Sequence, residues 1–259
     1  MSSKLFDLSN KTALITGGNG GIGLGFAKGI AKQGGNICIW GRNEDKNQQA
    51  LAELETFGTK VHVMAVDVAD ENQVADAFAE TLGMFGRIDG CFANAGVSGG
   101  GTFHEQEFDE WRRVLTVNLD GLFFTLRAAA QHMKERAEAG DPGGRLIGTS
   151  SVGAKFGMAK REAYTGSKGA VLSIMQGLAV EYARYGVTAN SISPGHIETS
   201  MTATAYQNEK FIKAIMPRIP ARRWGTQEDF EGIAAYLMSD ASQYHSGDNF
   251  TIDGGFSMV

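Results

Sequence analysis

Cysteine and proline are both scarce in this chain of 259 residues, at two and four respectively. Cys38 and Cys91 each fall inside an apolar run without companion ligands, so both read as buried free thiols, and no metal site is expected. That usage suits a reducing compartment, and a cytoplasmic protein is the expectation. A basic excess is missing too. The formal net charge is -5 with no long basic run, whereas a phosphate backbone is normally met by clustered Lys and Arg, so nucleic acid is not an expected partner. No apolar stretch approaches the roughly 20 residues needed to cross a bilayer, and Met1 to Leu8 is too short and polar for a secretory segment. No membrane partner is expected. Nor does a linker or composition break divide the chain, so one domain over 1–259 is the better count.

What the chain does have is glycine, 35 residues of it, and 42% apolar residues, enough for a sizeable core. Short apolar runs at 11–16, 36–40, 60–66, 88–93, 145–149, 188–192 and 249–253 read as strands. Helical spacing fills 22–33, 44–57, 71–85, 108–137, 164–185 and 227–238. Such alternation predicts an α/β fold, a doubly wound parallel sheet of about seven strands with helices on both faces. The stretch 196–225 is longer than a usual connection and mixes Met, Phe and Tyr with charges. It reads as a substrate lid with one or two short helices, or as a solvent-exposed excursion.

Between the first strand and the first helix lies Thr16-Gly17-Gly18-Asn19-Gly20-Gly21-Ile22-Gly23. Small residues there let the backbone approach a pyrophosphate at a helix N-terminus; the bland alternative is a tight turn. The second strand ends in Gly41-Arg42, with no carboxylate to repel a 2′-phosphate and a guanidinium to pair with one, unless Arg42 is merely solvated. NADP(H) is therefore favoured over NAD(H), which stays possible. Asp67-Val68 closes the third strand, where Asp67 either meets an adenine amino group or caps the following helix. Asn94-Ala95-Gly96 closes the fourth, leaving room for a cofactor, with Asn94 bracing loops.

Tyr164 and Lys168 stand four apart near a helix start, on one face. Free tyrosine, with a pKa of about 10, is a poor base near neutrality. A lysine ammonium one turn away and a positive nicotinamide would lower that value. Ser150 and Ser151 end the fifth strand, where either hydroxyl reaches the crevice. Asn118 lies inside a helix among apolar neighbours and either satisfies the backbone locally or holds a water.

Thr16-Gly17-x-x-x-Gly21-x-Gly23, Asn94-Ala95-Gly96, Asn118, Ser151, Tyr164-x-x-x-Lys168 and Pro194-Gly195 together resemble the classical short-chain dehydrogenase/reductase family, in its order and spacing over almost the whole chain. The resemblance implies a Rossmann-like fold and an NAD(P)-dependent enzyme that interconverts a secondary alcohol and a ketone. Tyr164 is then the general acid/base, Ser151 orients the substrate oxygen, and Ser150 is structural. Lys168 bonds the nicotinamide ribose, and Asn118 holds a water of a proton relay. It further implies that Gly17, Asn19, Gly21, Ile22 and Gly23 carry the pyrophosphate turn, Asp67 and Val68 the adenine side, and Pro194, Gly195, Ile197 and Thr199 the nicotinamide side. One departure stands out: NADP(H)-preferring members often place a basic residue before the second glycine of the turn, and here it is Gly20. Members assemble as dimers or tetramers, and a homotetramer or homodimer is expected through the helices around 108–137 and 162–185. Phe123, Phe124, Leu126, Met175 and Leu178 are either interface or core.

For substrate, Phe156, Met158, Met201, Tyr206, Phe211 and Met216 suggest a partly apolar ketone or alcohol, such as a 3-oxoacyl, steroid-like or aromatic compound. His196, Glu198, Arg218 and Arg222 suggest instead a sugar, polyol or hydroxy acid. A cofactor-binding regulatory protein without catalysis is the alternative from another class.

Overall fold

The computed structural model describes residues 5–259; the N-terminal reading over residues 1–4 lies outside them. Seven strands form one parallel sheet in the order β3-β2-β1-β4-β5-β6-β7. They are β1 (Thr12–Thr16), β2 (Asn36–Trp40), β3 (Val61–Met64), β4 (Gly90–Ala93), β5 (Gly144–Thr149), β6 (Val187–Pro194) and β7 (Asn249–Ile252). The connecting helices are α1 (Gly21–Ala31), α2 (Glu44–Glu55), α3 (Glu71–Phe85), α4 (Phe108–Leu115), α5 (Gly121–Glu138), α6 (Glu162–Tyr182) and α9 (Glu231–Met238). Two short helices, α7 (Ala203–Tyr206) and α8 (Glu209–Ile215), lie in the expected excursion. Parallel neighbours cannot be joined by tight turns, so each crossover helix must cover one face or the other.

Alternation along the strands divides the core into two layers. Leu14, Cys38, Trp40 and Cys91 face one side and pack with Leu126, Val171 and Met175. Ala13, Ile15, Ile37, Ile39 and Phe92 face the other, against Phe26, Ile30 and Phe230. Phe26 is fully buried, its ring 5.1 Å from that of Phe92 and 5.9 Å from that of Phe230. Burying one such ring contributes roughly 1.5–3 kcal/mol. Both cysteines are buried free thiols, and burial pushes Cys38 up to about 11. Leu126 and Met175 belong to this core, while Phe123 on α5 is exposed.

The long helix expected over 108–137 is interrupted. A π-helical turn, Thr116–Asp120, separates α4 from α5 and contains Asn118. One extra residue in the turn rotates everything before it relative to everything after it. At the start of α3 the cap is Asp70, whose carboxylate accepts the N–H groups of Asn72 and Gln73 at 2.9 and 3.2 Å. The capping alternative for Asp67 therefore falls. At the far end Gly86 adopts φ 75°, which stops the helix where L-residues seldom can.

Helices α1 and α9 approach closely because α1 carries glycine on the contact. A methyl group on Gly29 would stand 2.1 Å from the Glu231 carbonyl oxygen. Gly29→Ala is expected to destabilise the protein by about 1–3 kcal/mol, since overpacked helices must separate. Urea unfolding of the variant against wild type checks this, and an unchanged midpoint contradicts the close-approach argument.

Candidate active site

The sheet reverses its winding between β1 and β4, and a cleft of ≈ 410 Å³ opens at the carboxyl ends of the strands there. One polar knot fixes its floor. The Thr16 hydroxyl at the end of β1 accepts the N–H groups of Asn94 and Ala95, both at 3.0 Å. The Asn94 amide donates to the Thr16 and Gly17 carbonyls at 3.0 and 3.4 Å, and its oxygen accepts from the Thr149 hydroxyl at 3.1 Å. Three strand ends are thereby held in register by two threonines and one asparagine. The bracing role expected of Asn94 is what its contacts show, while Thr16 and Thr149 as its partners escaped the sequence reading.

The glycine turn fits a dinucleotide. Gly17 and Gly21 have φ 64° and 51°, in the left-handed region open to glycine. A methyl on Gly21 would press Thr199 at 2.9 Å, so this turn and the segment after β6 touch across the cleft. Gly23 instead lets α1 seat against the turn, because a methyl there would lie 2.3 Å from the Gly17 carbonyl oxygen. No side chain caps α1 and its first turn has no acid, which leaves its N–H groups free for an anion.

Most of the expected cofactor residues line this one cleft: Gly17, Asn19, Gly21 and Ile22; Arg42, Asp67 and Val68; Asn94, Ala95 and Gly96; Pro194, Gly195 and Thr199. Gly23 and Ile197 do not. Gly23 serves the turn as described, and Ile197 is buried in the core, bridged to Gly225. Asn19 is pinned to Asn47 at 2.7 Å. A side chain at Gly41 would meet the Asn19 amide at 2.3 Å, which explains in steric terms why no carboxylate stands at the end of β2. Arg42 is 3.8 Å from Asp67, an exposed and weakly held pair. Lys46, in the first turn of α2, also lines the cleft and was missed by the sequence reading, hidden behind Glu44 and Asp45.

Ser151, Tyr164 and Lys168 converge on the same cleft. Ser151 follows β5, and its hydroxyl accepts the Gly153 N–H at 3.0 Å. Tyr164 lies in the first turn of α6. Burial pushes its phenol above the ordinary value, with the Ser151 hydroxyl and the Arg161 charge pulling the other way. Lys168 is buried, its ammonium donating to the Thr149 carbonyl at 2.8 Å and lying 6.0 Å from the centre of the Tyr164 ring. Burial depresses it to about 8. The expectation that Lys168 lowers the tyrosine is therefore not met by the protein alone: burial outweighs the Ser151 hydrogen bond and the Arg161 charge, and each group is pushed toward neutrality. Ser150 bonds the Lys168 carbonyl at 2.7 Å, a structural tie between β5 and α6.

Asn118 lies behind the cleft wall, buried. Its oxygen accepts the Val97 N–H at 2.7 Å, and its amide donates to the Val97 carbonyl and the Ser167 hydroxyl at 3.0 and 3.1 Å. Those contacts occupy the amide protons, so the side chain braces the Val97 segment; the water expected on it finds no free amide donor there.

Both substrate lists need correction. Of the apolar six, Met201 lines the cleft. Phe211 and Tyr206 pack on Trp224 at 6.2 and 5.5 Å, and Phe156 on Phe256 at 6.1 Å. From the polar list, His196 meets Phe256 edge to face at 4.7 Å between ring centres, with burial and then the Arg218 charge holding it below the usual histidine range. Arg218 covers the Phe256 ring at 4.9 Å, and Arg222 bonds the Pro217 carbonyl at 2.7 Å. The 196–225 excursion holds α7 and α8 and is closed at its neck, where the Gly225 N–H donates to the His196 carbonyl and the Glu198 N–H to the Gly225 carbonyl, both at 2.9 Å.

Comparison with known proteins decides the relationship. A family model described as enoyl-(acyl carrier protein) reductase matches residues 17–257. Gluconate 5-dehydrogenase of Gluconobacter oxydans is 33% identical, with 98% of this chain and 97% of that one aligned. The chain belongs to the short-chain dehydrogenase/reductase family. A 3-oxoacyl-[acyl-carrier-protein] reductase of Chlamydia pneumoniae is 32% identical over 96% of this chain and 98% of its own. Among solved structures, a gluconate 5-dehydrogenase from Burkholderia cenocepacia in complex with NADP and tartrate superposes with a TM-score of 0.92, at 34% identity, covering 99% and 98% of the two chains. As a short-chain dehydrogenase/reductase this chain is an oxidoreductase acting on CH–OH groups with NAD(P).

The depressed Lys168 gives a stability test. Folded, it loses its proton near 8; unfolded, near its ordinary 10.5, so the unfolded chain binds more protons between those values. The cost of burying the charge is thus present below pH 8 and relieved as pH rises through the window. The unfolding free energy of wild type minus that of Lys168→Met is expected to increase from pH 7.5 to 10 in the cofactor-free protein. Urea titrations at several pH values measure it; parallel curves contradict the depressed lysine.

Proposed function

We propose that this short-chain dehydrogenase/reductase is an NADP(H)-dependent enzyme that interconverts a secondary alcohol and a ketone on sugar acids and related hydroxy acids or polyols. The observation that carries the substrate class is near full-length similarity to gluconate 5-dehydrogenases in both sequence and structure. The apolar reading loses ground because the three aromatic side chains it relied on, Phe156, Tyr206 and Phe211, pack on Phe256 and Trp224. A 3-oxoacyl substrate is the second reading, favoured by the acyl-carrier-protein reductase relative. For the cofactor, the side-chain-free end of β2 with Arg42 and Lys46 on the cleft supports a 2′-phosphate.

The nicotinamide, when bound, supplies or accepts the hydride. Tyr164 gives its phenolic proton to the carbonyl oxygen in reduction and takes the hydroxyl proton in oxidation. Ser151 donates a hydrogen bond to that oxygen as charge develops on it. Lys168, fixed by Thr149, holds positive charge beside the phenol and a donor toward the ribose. Asn118 keeps the Val97 wall in place. The 196–225 excursion is the substrate lid, and the exposed faces of α5 and α6, with Phe123 and Val180, are where subunits join in a homodimer or homotetramer.

Steady-state oxidation of gluconate, a neutral sugar and a steroid alcohol, with NADP and NAD in parallel, tests the substrate class. The highest kcat/KM is expected for gluconate with NADP, and a clear preference for the steroid overturns the reading. Tyr164→Phe is expected to lower kcat/KM about 10³-fold, near 4 kcal/mol, with nucleotide affinity kept within tenfold. Near-normal turnover would show that the proton travels by another group.

A further inference from the structure

Arg161 stands one turn before Tyr164, at the start of α6, and the sequence reading passed it over. Its position is built with care. Lys160 adopts φ 65°, a left-handed conformation rare for a lysine, and Gly100 of the run Gly99-Gly100-Gly101 packs directly against it. A methyl on Gly100 would stand 1.9 Å from the Lys160 carbonyl oxygen, and Gly101 donates to that oxygen at 3.1 Å. Arg161 in turn reaches across: its Nη1 donates to the Ser98 hydroxyl at 2.8 Å and the Gly99 carbonyl at 3.1 Å. Ser98 and Gly99 continue the wall that Gly96 and Val97 present to the cleft. The guanidinium is therefore anchored at the mouth, and its charge reaches the Tyr164 phenol.

What remains of Arg161 is its other edge. Nη1 lies on the Cδ side of the guanidinium, so Nε and Nη2 form the fork that grips a carboxylate side-on. The same edge holds carboxylates elsewhere among the described residues. Arg113 holds Glu110 through Nε and Nη2 at 2.7 and 2.9 Å, and Arg87 holds Asp89 through Nε and Nη2 at 3.0 and 2.6 Å. Arg161 has no such partner among the described residues. Of the nearby carboxylates, Glu110 is held by Arg113, and Glu162 accepts the Lys160 N–H on Oε1 at 3.1 Å, its buried Oε2 making no bond to the guanidinium. Arg161 is also an exposed residue, one turn from the reacting tyrosine.

We propose that Arg161 is the residue that selects an acid over a neutral sugar, its Nε/Nη2 edge binding the carboxylate of the substrate while Ser98 and Gly99 hold Nη1. The assignment rests on the sugar-acid reading above and deepens it. Binding the carboxylate at the mouth orients the carbon chain inward, toward Ser151 and Tyr164. The fork geometry is what a lysine lacks, so charge alone does not reproduce it.

The test compares gluconate with D-glucitol, the neutral polyol of the same chain length, using the full-length enzyme with NADP. In Arg161→Gln the ratio of kcat/KM for gluconate to that for glucitol is expected to fall about ten- to hundredfold, carried by the KM for gluconate, with Arg161→Lys in between. Titration calorimetry of gluconate into the enzyme–NADPH complex is expected to show the same weakening. Equal loss on both substrates overturns the assignment alone, leaving Arg161 as a brace for the 97–101 segment. Wild-type enzyme that oxidises neither compound overturns the sugar-acid reading and this assignment with it.

Discussion

The hydrogen-bonded knot of Thr16, Asn94 and Thr149 is the constraint on which the site depends. Parallel strands on either side of a switch in winding diverge, and nothing in a sheet ladder fixes how far. Here the distance is set by side chains whose polar atoms are each partnered. Leaving one such buried group unpartnered costs roughly 1–3 kcal/mol, so the three strand ends move together or not at all. Lys168 takes its bearing from the same knot through the Thr149 carbonyl, and the glycine turn through the Gly17 carbonyl. The floor under the glycine turn and the anchor of Lys168 are thus one object.

The electrostatics of Tyr164 and Lys168 have an unexpected sense. Attraction between a phenolate and an ammonium is the usual reason for setting tyrosine and lysine one turn apart. In this chain burial dominates, raising the tyrosine and lowering the lysine. Both shifts disfavour charge, yet a lysine at about 8 still carries its proton near pH 7 while the phenol stays neutral. The site is then responsive: added positive charge in the cleft changes the tyrosine most, because little water remains to screen it.

Much of this was legible in the sequence and some was not, for identifiable reasons. The strands announced themselves because a parallel sheet buried on both faces needs unbroken apolar runs such as Ala13-Leu14-Ile15. Tyr164, Lys168 and Ser151 were legible through spacing. The π-helical turn at Asn118 was not, since one additional residue leaves the helical apolar pattern almost intact. Asn118 itself was singled out, but its engagement with Val97 depends on a contact 21 residues away. Lys46 and Arg161 were invisible for a different reason: a surface cation carries no periodic signature, and its role comes from what the fold sets beside it. The aromatic residues of 196–225 misled because a string of Phe, Tyr and Trp looks alike whether it faces a ligand or its own neighbours.

The neck of that excursion carries a consequence for how such proteins diversify. Its first end follows β6 and its second leads toward α9, and the two are bridged from Ile197 to Gly225. Lengthening a loop whose ends are already joined adds little entropic cost, about 0.6 kcal/mol for each doubling. The material between them is free to drift in sequence, length and chemistry while the strands beneath keep their register. One scaffold can in this way present many different ceilings over an unchanged reaction centre, as interchangeable heads fit a common handle.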